Sequence, residues 1–519
     1  MRKRIRHLTS GLSLALLAAL ILPLFRQEVY AYQPDKAYVY DNKYESDDIN
    51  ESEAVPSTNV YQVSLIVSDR EMGCGPLKAP QDIFVDSMDH IYLLDSGNCR
   101  VLILDETYKC IREITEFSYN GEKLTLAKGA DGIFYRESNR QLYIADTENN
   151  RILVSDIEGN VSKIYEKPIA ELLDPNTAYK PSKIIVDNMG IMYVISANIN
   201  TGALLIDSAN NFLGFYGTNK IKETAAVLKE YMWRNILTEE QNAQSSESFQ
   251  PAEFNNIFWT EDRFAYAVSP INDTIESAVV KLNALGNNVF LKDIGFKGAL
   301  SETGKNKEVS GANMMLSDIT VDDEGIFTVV DMINGKLYQY DEECNLLAVF
   351  GGSGYQEGLF TRPVALESDS KNNLLILDDA KNTLTVMKQT YYGKMIREAN
   401  SLYNQGRYLE SIDPWFEVIR MNPNYYLAYV GMGKAYMSMG DYEKAKEYFE
   451  LGGDKEGYGE AKAMLRNELI RENFALIAAV VFLLMMFILG YDHFKKLFAK
   501  IVKQVRSRKE RSKYETDRI

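Results

Sequence analysis

A fifteen-residue pattern occurs twice near the start of the chain, and this repetition constrains the fold more than any other feature of the sequence. The two copies are IYLLDSGNCRVLILD at Ile91–Asp105 and LYIADTENNRILVSD at Leu142–Asp156. Each copy has an apolar run ending in Asp, a turn containing Asn, and a second apolar run beginning with Arg. The copies lie 51 residues apart, and the matching positions are Asp95 and Asp146, Asn98 and Asn149, and Arg100 and Arg151. Short alternating strands of this kind must bury their apolar faces against a neighbouring unit.

Four weaker copies follow, so the chain contains six related units. Their anchor residues, which occupy the position of Asp95, are Ser196, Ser269, Asp331 and Asp378. A short strand precedes each copy, as in IFVD at Ile83–Asp86, so each unit has about four strands. Units of this size in series are typical of a β-propeller, in which every blade packs against its neighbours. The sequence therefore predicts a mainly β fold with a six-bladed propeller at 61–390.

The combined pattern P-x-x-I-x-V-D and IY-x-x-D-x-x-N-x-R resembles the NHL repeat, and six such blades resemble NHL and gluconolactonase-like propellers. The D-x-x-N turn recurs once per blade, which favours a role in maintaining the fold. The last blade lacks a fourth strand after Met387, and Tyr61–Ser68 is expected to supply it and so close the ring. A helical insertion at about 218–250, carrying Trp233, is expected to pack on the core or to offer a partner surface.

A second repeat follows the propeller. Two sets of residues lie 34 apart, namely Gly406, Tyr408 and Trp415 against Gly440, Tyr442 and Phe449. This period and pattern resemble the TPR repeat, which implies a small all-α unit at 391–472. Two copies are fewer than the three usually needed for stability, so the propeller and a helix at Tyr458–Glu472 are expected to support them.

The two ends of the chain predict its compartment. Residues 1–31 have the basic start, the apolar stretch and the small residues before a cleavage point of a secretory signal peptide, with an uncleaved anchor as the alternative. Residues 32–60 are expected to form a flexible acidic linker. The stretch Phe474–Tyr491 has 18 residues without a charge, about 27 Å as a helix, which predicts a transmembrane helix at 473–491.

The tail at 492–519 carries ten Lys or Arg residues against four acidic ones, which places it in the cytoplasm. The sequence thus predicts a single-pass protein of the cell membrane with an extracellular N-terminal part. The whole chain has 73 acidic and 57 basic side chains, a net charge of −16, which argues against a nucleic-acid partner. Since both ends are basic, the middle of the chain is more acidic still.

The innermost strand of each blade starts at the mouth of the central channel. Aligning the blades places six residues at one ring position, namely Asp82, Gly132, Lys183, Asn256, Asp318 and Ala365. The preceding ring position holds Gln81, Asp131, Ser182, Asn255, Ser317 and Val364. The residues expected to bind a ligand at this mouth are Asp82, Asp131, Lys183, Asn255, Asn256 and Asp318.

Two interpretations of these rings stay open. Carboxylates and amides near one axis could ligate Ca²⁺, as the resemblance to gluconolactonase-like propellers implies. Alternatively, Lys183 could neutralise the acids, and Asp or Asn before a strand often caps a turn. No metal ligands and no catalytic residues are assigned, because no nucleophile lies at a recognisable spacing from a base.

Histidine and cysteine narrow the chemistry further. The chain has three histidines, with His7 in the signal and His493 in the tail. Only His90 remains in the extracellular part, so the chain cannot supply the several histidine ligands that a zinc lyase needs. We expect His90 itself to be a hydrogen-bonded or solvated residue of a turn. A disulfide between Cys74 and Cys99 could form on one face of the propeller, and Cys110 and Cys344 are expected to be unpaired.

The predicted function is a membrane-anchored extracellular binding or scaffold protein without a cofactor. The NHL and TPR resemblances imply a protein partner, such as a component of a carbohydrate ABC transport system. The alternative is a calcium-dependent, lactonase-like hydrolase acting on sugar derivatives.

Overall fold

The structure is a computed structural model, and it describes residues 37–41, 53–173, 176–217, 253–270, 277–290 and 314–516. The chain divides into two compact units after Lys394. The predicted signal peptide, the predicted insertion with Trp233 and the last three residues of the tail lie outside the described residues.

The first unit is a six-bladed β-propeller. Its blades are the sheets β4–β7, β10–β13, β14–β17, β18–β20, β21–β24 and β25–β27 with β3, each antiparallel, and β8 pairs with β9 as a separate hairpin. The strands are β1 (Ala37–Asp41), β2 (Glu53–Ser57), β3 (Tyr61–Val67), β4 (Asp82–Val85), β5 (Ile91–Asp95), β6 (Arg100–Leu104), β7 (Cys110–Ile114), β8 (Phe117–Tyr119), β9 (Glu122–Leu124), β10 (Gly132–Arg136), β11 (Gln141–Asp146), β12 (Arg151–Ser155), β13 (Val161–Tyr165), β14 (Lys180–Val186), β15 (Met192–Ala197), β16 (Ala203–Ile206), β17 (Phe212–Tyr216), β18 (Asn256–Trp259), β19 (Ala265–Val268), β20 (Val279–Leu282), β21 (Leu316–Val321), β22 (Phe327–Asp331), β23 (Lys336–Tyr340), β24 (Leu346–Gly351), β25 (Pro363–Ser368), β26 (Leu374–Asp378) and β27 (Thr383–Gln389).

The ring closes as the sequence predicts. Strand β3, from the start of the described propeller, pairs antiparallel with β27 and completes the sixth blade, with Val67 opposite Leu384 and Tyr61 opposite Gln389. Each innermost strand also contacts the innermost strand of the next blade, from β4 round to β25 and back to β4. Joining the two ends of the propeller within one sheet leaves no open gap between the first and last blades.

The hydrophobic core lies between the blades and is divided into separate clusters. Leu94, Ile103 and Leu142 belong to a cluster between the first two blades, and all three are almost fully buried. Other clusters lie between blades 2 and 3, 3 and 4, 4 and 5, and 6 and 1. This is the arrangement that the repeat predicts, because a single blade cannot bury both of its apolar faces alone.

The segment predicted to be a flexible linker contains regular structure. Strands β1 and β2 pair with one another, and β1 adds to the outer edge of blade 5 at Tyr38 opposite Val349. The segment AYVYD contains two tyrosines and a valine, which favour a strand, whereas EAVPS contains only one such residue, Val55. The expectation of an irregular linker therefore does not hold for these two segments. Blade 4, the weakest copy in the sequence, has three strands within the described residues.

A short helix, α1 (Asp69–Met72), follows β3, and helices make up the rest of the chain after β27. They are α2 (Tyr391–Asn404), α3 (Tyr408–Met421), α4 (Tyr426–Met439), α5 (Tyr442–Leu451), α6 (Lys455–Glu472) and α7 (Phe474–Thr516).

Helices α3 to α6 pack in sequence through glycines that leave room for aromatic rings. A Cβ at Gly431 would lie 2.6 Å from the Trp415 ring, and one at Gly433 would lie 2.6 Å from the Phe449 ring. The first 18 residues of α7, Phe474–Tyr491, form the one described stretch that is long and apolar enough to cross a membrane, and no part of it is buried.

Candidate ligand site at the channel mouth

The anchor residues of the repeat maintain the fold, as predicted. Asp95 is fully buried; its carboxylate accepts hydrogen bonds from the Lys78 backbone N–H at 2.8 Å, Asn98 Nδ2 at 2.8 Å and Arg100 Nε at 2.7 Å. Asp146 repeats this network with the Ala127 N–H, Asn149 and Arg151. The motif ties each turn to the loop before the innermost strand, so its Asp and Asn are occupied by the scaffold.

Blade register confirms that the ring positions align. In every blade the first ring residue lies opposite the residue just before the anchor, namely Asp82 with Leu94, Gly132 with Ala145, Lys183 with Ile195, Asn256 with Val268, Asp318 with Val330 and Ala365 with Leu377. The six positions are therefore structurally equivalent. Their side chains vary more than the anchors, which are Asp in four blades and Ser in two.

A buried ion pair crosses from blade 3 to blade 1. Lys183 Nζ lies 2.6 Å from Asp82 Oδ1, and the two side chains are only 12% and 7% exposed. Blade 2 lies between them and has Gly132 at this ring position. A Cβ at Gly132 would lie 2.2 Å from the Ser182 carbonyl oxygen, so the close approach of the two inner strands requires glycine here. The second Asp82 oxygen accepts the Ile133 N–H at 2.8 Å.

Asp318 occupies an equivalent setting in blade 5. One carboxylate oxygen accepts the Leu366 N–H of the next blade at 2.7 Å, just as Asp82 accepts the N–H of Ile133. The other oxygen accepts the Ile319 N–H at 2.7 Å and a hydrogen bond from the Asn256 side-chain amide. Both aspartates therefore join adjacent blades while lining the same ring.

Burial gives this cluster unusual protonation. It raises the pKa of the Asp318 carboxyl to about 7, although the nearby Lys183 ammonium opposes the shift. The pKa of Asp82 is raised for the same reason, again against Lys183. Burial also raises the pKa of Asp131, and Lys183 opposes that shift too. The pKa of Lys183 is itself raised because Asp82 and Asp318 outweigh its burial, so this lysine stays protonated.

Sequence alignment missed one member of the cluster. Glu367 lies on β25, two residues beyond Ala365, and Thr320 Oγ1 donates to its carboxylate at 3.4 Å. Burial raises its pKa well above the ordinary value, and the charges of Asp318 and Asp82 add to the shift. Residues two apart in a strand lie on the same side. Glu367 could have been found from the sequence by comparing the residues two positions after each ring residue, where blade 6 has a carboxylate.

The other predicted ring residues join the blades. Asn255 Nδ2 donates to the Leu316 carbonyl oxygen of blade 5, and Gln81 Nε2 donates to Asp379 of blade 6 at 3.2 Å. Asp131 is half-buried at the mouth, where it is electrostatically coupled to Lys183 and Asp82. The charged cluster thus consists of four predicted residues and one that was not predicted, namely Asp82, Asp131, Lys183, Asp318 and Glu367. Asn256 donates to Asp318, and Asn255 donates to the backbone of blade 5.

His90 lies away from this cluster, at the opposite end of β4 and β5. Its Nδ1 is 3.1 Å from Asp86 Oδ2, which also accepts the Tyr92 hydroxyl at 3.2 Å. His90 is a bonded turn residue, as expected.

The predicted Cys74–Cys99 disulfide is absent, since all four cysteines are free thiols in this structure. Cys74 packs with Cys110 against the cluster between blades 6 and 1, whereas Cys99 packs against the cluster between blades 1 and 2. Burial and the neighbouring Cys110 thiol raise the pKa of Cys74 to about 12. The two cysteines are therefore not bridged in this structure, because two loops on one face of a blade can point their side chains toward different neighbours.

Within the described ranges, no three His, Cys, Asp or Glu side chains are placed to hold one metal ion. A cavity of about 130 Å³ lies elsewhere, between blades 6 and 1, lined by residues that include Asp89, Tyr108, Asp369 and Lys388. It contains none of the ring residues.

No protein-family model and no curated protein matches the chain. Solved structures that it resembles include virginiamycin B lyase from Staphylococcus aureus, at 10% identity over 60% of this chain and 95% of that one, with a TM-score of 0.36. A protein of unknown function from Bacteroides thetaiotaomicron matches at 13% identity over 64% and 79%, with a TM-score of 0.40. The WD40 propeller of Doa1 matches at 10% identity over 64% and 98%, with a TM-score of 0.38. The propeller assignment rests on the strand pairing above, and these similarities add nothing about activity.

Proposed function

We propose that the chain is a membrane-anchored, extracellular binding protein whose propeller recognises its partner at the channel mouth. The observation that carries this proposal is the buried charged cluster of Asp82, Asp131, Lys183, Asp318 and Glu367. Polar groups are costly to bury, and a repeated scaffold has no need of five ionisable groups that differ from blade to blade. Perturbed ionisable groups gathered at one opening are typical of a functional site.

Lys183 favours binding over metal-dependent hydrolysis. Its ammonium lies against Asp82, where the lactonase alternative requires a divalent cation. An ammonium and a calcium ion compete for the same carboxylate oxygens. The channel mouth contains both the Lys183 ammonium and several carboxyl groups, so it suits a ligand or peptide that carries hydrogen-bond acceptors as well as donors.

The helical unit supports a protein partner. Its helices pack as consecutive pairs, with Gly431 against Trp415 and Gly433 against Phe449, which is the close packing expected of TPR-like repeats with a period of 34. TPR-like and NHL-like units are both interaction modules, and this favours an accessory role beside a membrane transport protein, such as a carbohydrate ABC transporter.

The basic segment after Tyr491 supports the orientation. The basic residues Lys495, Lys496, Lys500 and Lys503 follow soon after the apolar stretch. By the positive-inside rule, this favours the cytoplasm for the tail and the outside for the propeller. A signal peptide at 1–31 fits the same topology.

Site-specific photocrosslinking in native membranes tests the proposal. A photoreactive amino acid replaces Ile333 or Tyr355, which are 49% and 86% exposed on loops at the channel-mouth face. Matched controls replace Met88 or Met189, 70% and 86% exposed on turns at the opposite face.

We expect adducts with a transport permease from the first pair and none from the second. Equal adducts from both faces, or no adduct from either, would contradict the proposal. A rise in melting temperature on adding Ca²⁺, abolished by Asp318→Ala, would instead favour the hydrolase.

A further inference from the structure

Helix α7 is much longer than a membrane span. Its 43 residues extend for about 64 Å, roughly twice the thickness of the hydrocarbon core, and Phe474–Tyr491 alone is enough to cross it. The remaining part continues without interruption as helix from Asp492 to Thr516. The tail that follows the span is therefore helical, and this gives its side chains a defined arrangement.

The segment 495–506, which we name the juxtamembrane segment, is amphipathic. Its five large apolar side chains fall within an arc of about 140° and are exposed, namely Leu497, Phe498, Ile501, Val502 and Val505. Its five basic side chains fall within an opposite arc of similar width, namely Lys495, Lys496, Lys500, Lys503 and Arg506. No acidic residue occurs between Asp492 and Glu510.

The basic side chains of the juxtamembrane segment indicate what covers its apolar face. A second copy of the helix would place five positive charges beside five others, with no carboxylate in the segment to compensate. An anionic lipid surface satisfies both faces, because the headgroups pair with the lysines while the apolar side chains enter the acyl boundary. Continuity with the span already holds the segment beside that surface.

We propose that the juxtamembrane segment lies on the anionic cytoplasmic leaflet as an interfacial helix. This inference rests on the proposed membrane anchoring by Phe474–Tyr491. The helix must bend to lie flat, and Gly490 is placed to allow this. It is the last glycine before the segment, nothing lies within 4 Å of its Cβ position, and glycine weakens a helix interior.

Photocrosslinking of the full chain in vesicles tests the inference. A photoreactive amino acid replaces Phe498 on the apolar face, Lys503 on the basic face as the matched control, or Phe487 within the span. Vesicles contain phosphatidylcholine alone or with 30% phosphatidylglycerol. We expect lipid adducts from position 498 with phosphatidylglycerol present and few from position 503.

The variant Lys500→Gln/Lys503→Gln should lower the adduct yield at position 498 by up to about 25-fold, since each lysine near an anionic surface contributes about fivefold. Position 487 should form lipid adducts in both vesicles. Failure at 487 would refute the span and hence the proposed anchoring. Adducts at 487 without adducts at 498, or a 498 adduct to a second chain, would overturn the interfacial helix alone.

Discussion

Replacing Lys183 with Met should destabilise the propeller strongly at pH 8 and less at pH 5. The Lys183–Asp82 pair is 2.6 Å long and nearly buried, so at an effective dielectric of 20 its direct attraction is about 6 kcal/mol. Desolvation of the ammonium offsets part of this. Removing one partner of a buried pair leaves an uncompensated charge and costs about 3–5 kcal/mol of unfolding free energy. We expect a loss in that range at pH 8.

The pH dependence follows from the raised pKa of Asp318. Its folded pKa of about 7 exceeds the ordinary 3.8, so the folded state holds this proton more tightly than the unfolded chain does. The resulting stabilisation is complete below about pH 4 and is lost as the pH rises through 7. At pH 5 the Asp318 carboxyl is protonated, so the missing ammonium matters less. At pH 8 this carboxyl is ionised, and Lys183 is the cation buried beside it.

The assay is urea unfolding of the full chain in detergent micelles, followed by near-ultraviolet circular dichroism. Lys180→Met is the matched control, because Lys180 lies on the same strand and is 2.7 Å from Glu148, with 28% and 56% of the two side chains exposed. This exposed pair should contribute less than about 1 kcal/mol at either pH. Equal losses for the two variants, or a Lys183→Met loss that does not change with pH, would refute the reasoning.

Two further predictions concern packing and thiol placement. Gly132→Ala should lower the unfolding free energy by about 1–3 kcal/mol, since the added Cβ would lie 2.2 Å from backbone. The control Gly459→Ala lies in α6 with open space around its Cβ, so it should be neutral or stabilising in the same denaturation assay. Mild oxidation of the full chain with diamide should link Cys74 to Cys110 in peptide mass maps, because burial places these two thiols together; a Cys74–Cys99 peptide would show that this placement is wrong.

The sequence repeat predicts the blades, but it predicts only some of the contacts between individual side chains. The anchor spacing predicted six sheets and their register at the ring, because both depend on a pattern that recurs along the chain. The missing fourth strand after Met387 predicted closure by Tyr61–Ser68, and strand β3 closes the ring at Tyr61–Val67. Glu367 escaped because its counterparts in the other blades are mostly apolar, so no repeated polar position drew attention to it. The possible Cys74–Cys99 bridge is not formed in this structure, because spacing places a residue in a loop without saying which neighbouring core its side chain enters.

Repetition also separates scaffold from site. Where a residue recurs at the same place in most blades, as Asp95 and Asp146 do, its carboxylate is already hydrogen-bonded within its own blade, which leaves little capacity for a ligand. Where the residue changes at a fixed register, the backbone pairing is the same, and the side chain varies within the space that its neighbours leave, as Gly132 shows. Asp82 uses one oxygen for the next blade and the other for Lys183, so it serves both purposes. Selection for binding acts on the ring only within the limits that these contacts between blades set, and variants at Lys183 should disturb folding less at pH 5 than at pH 8.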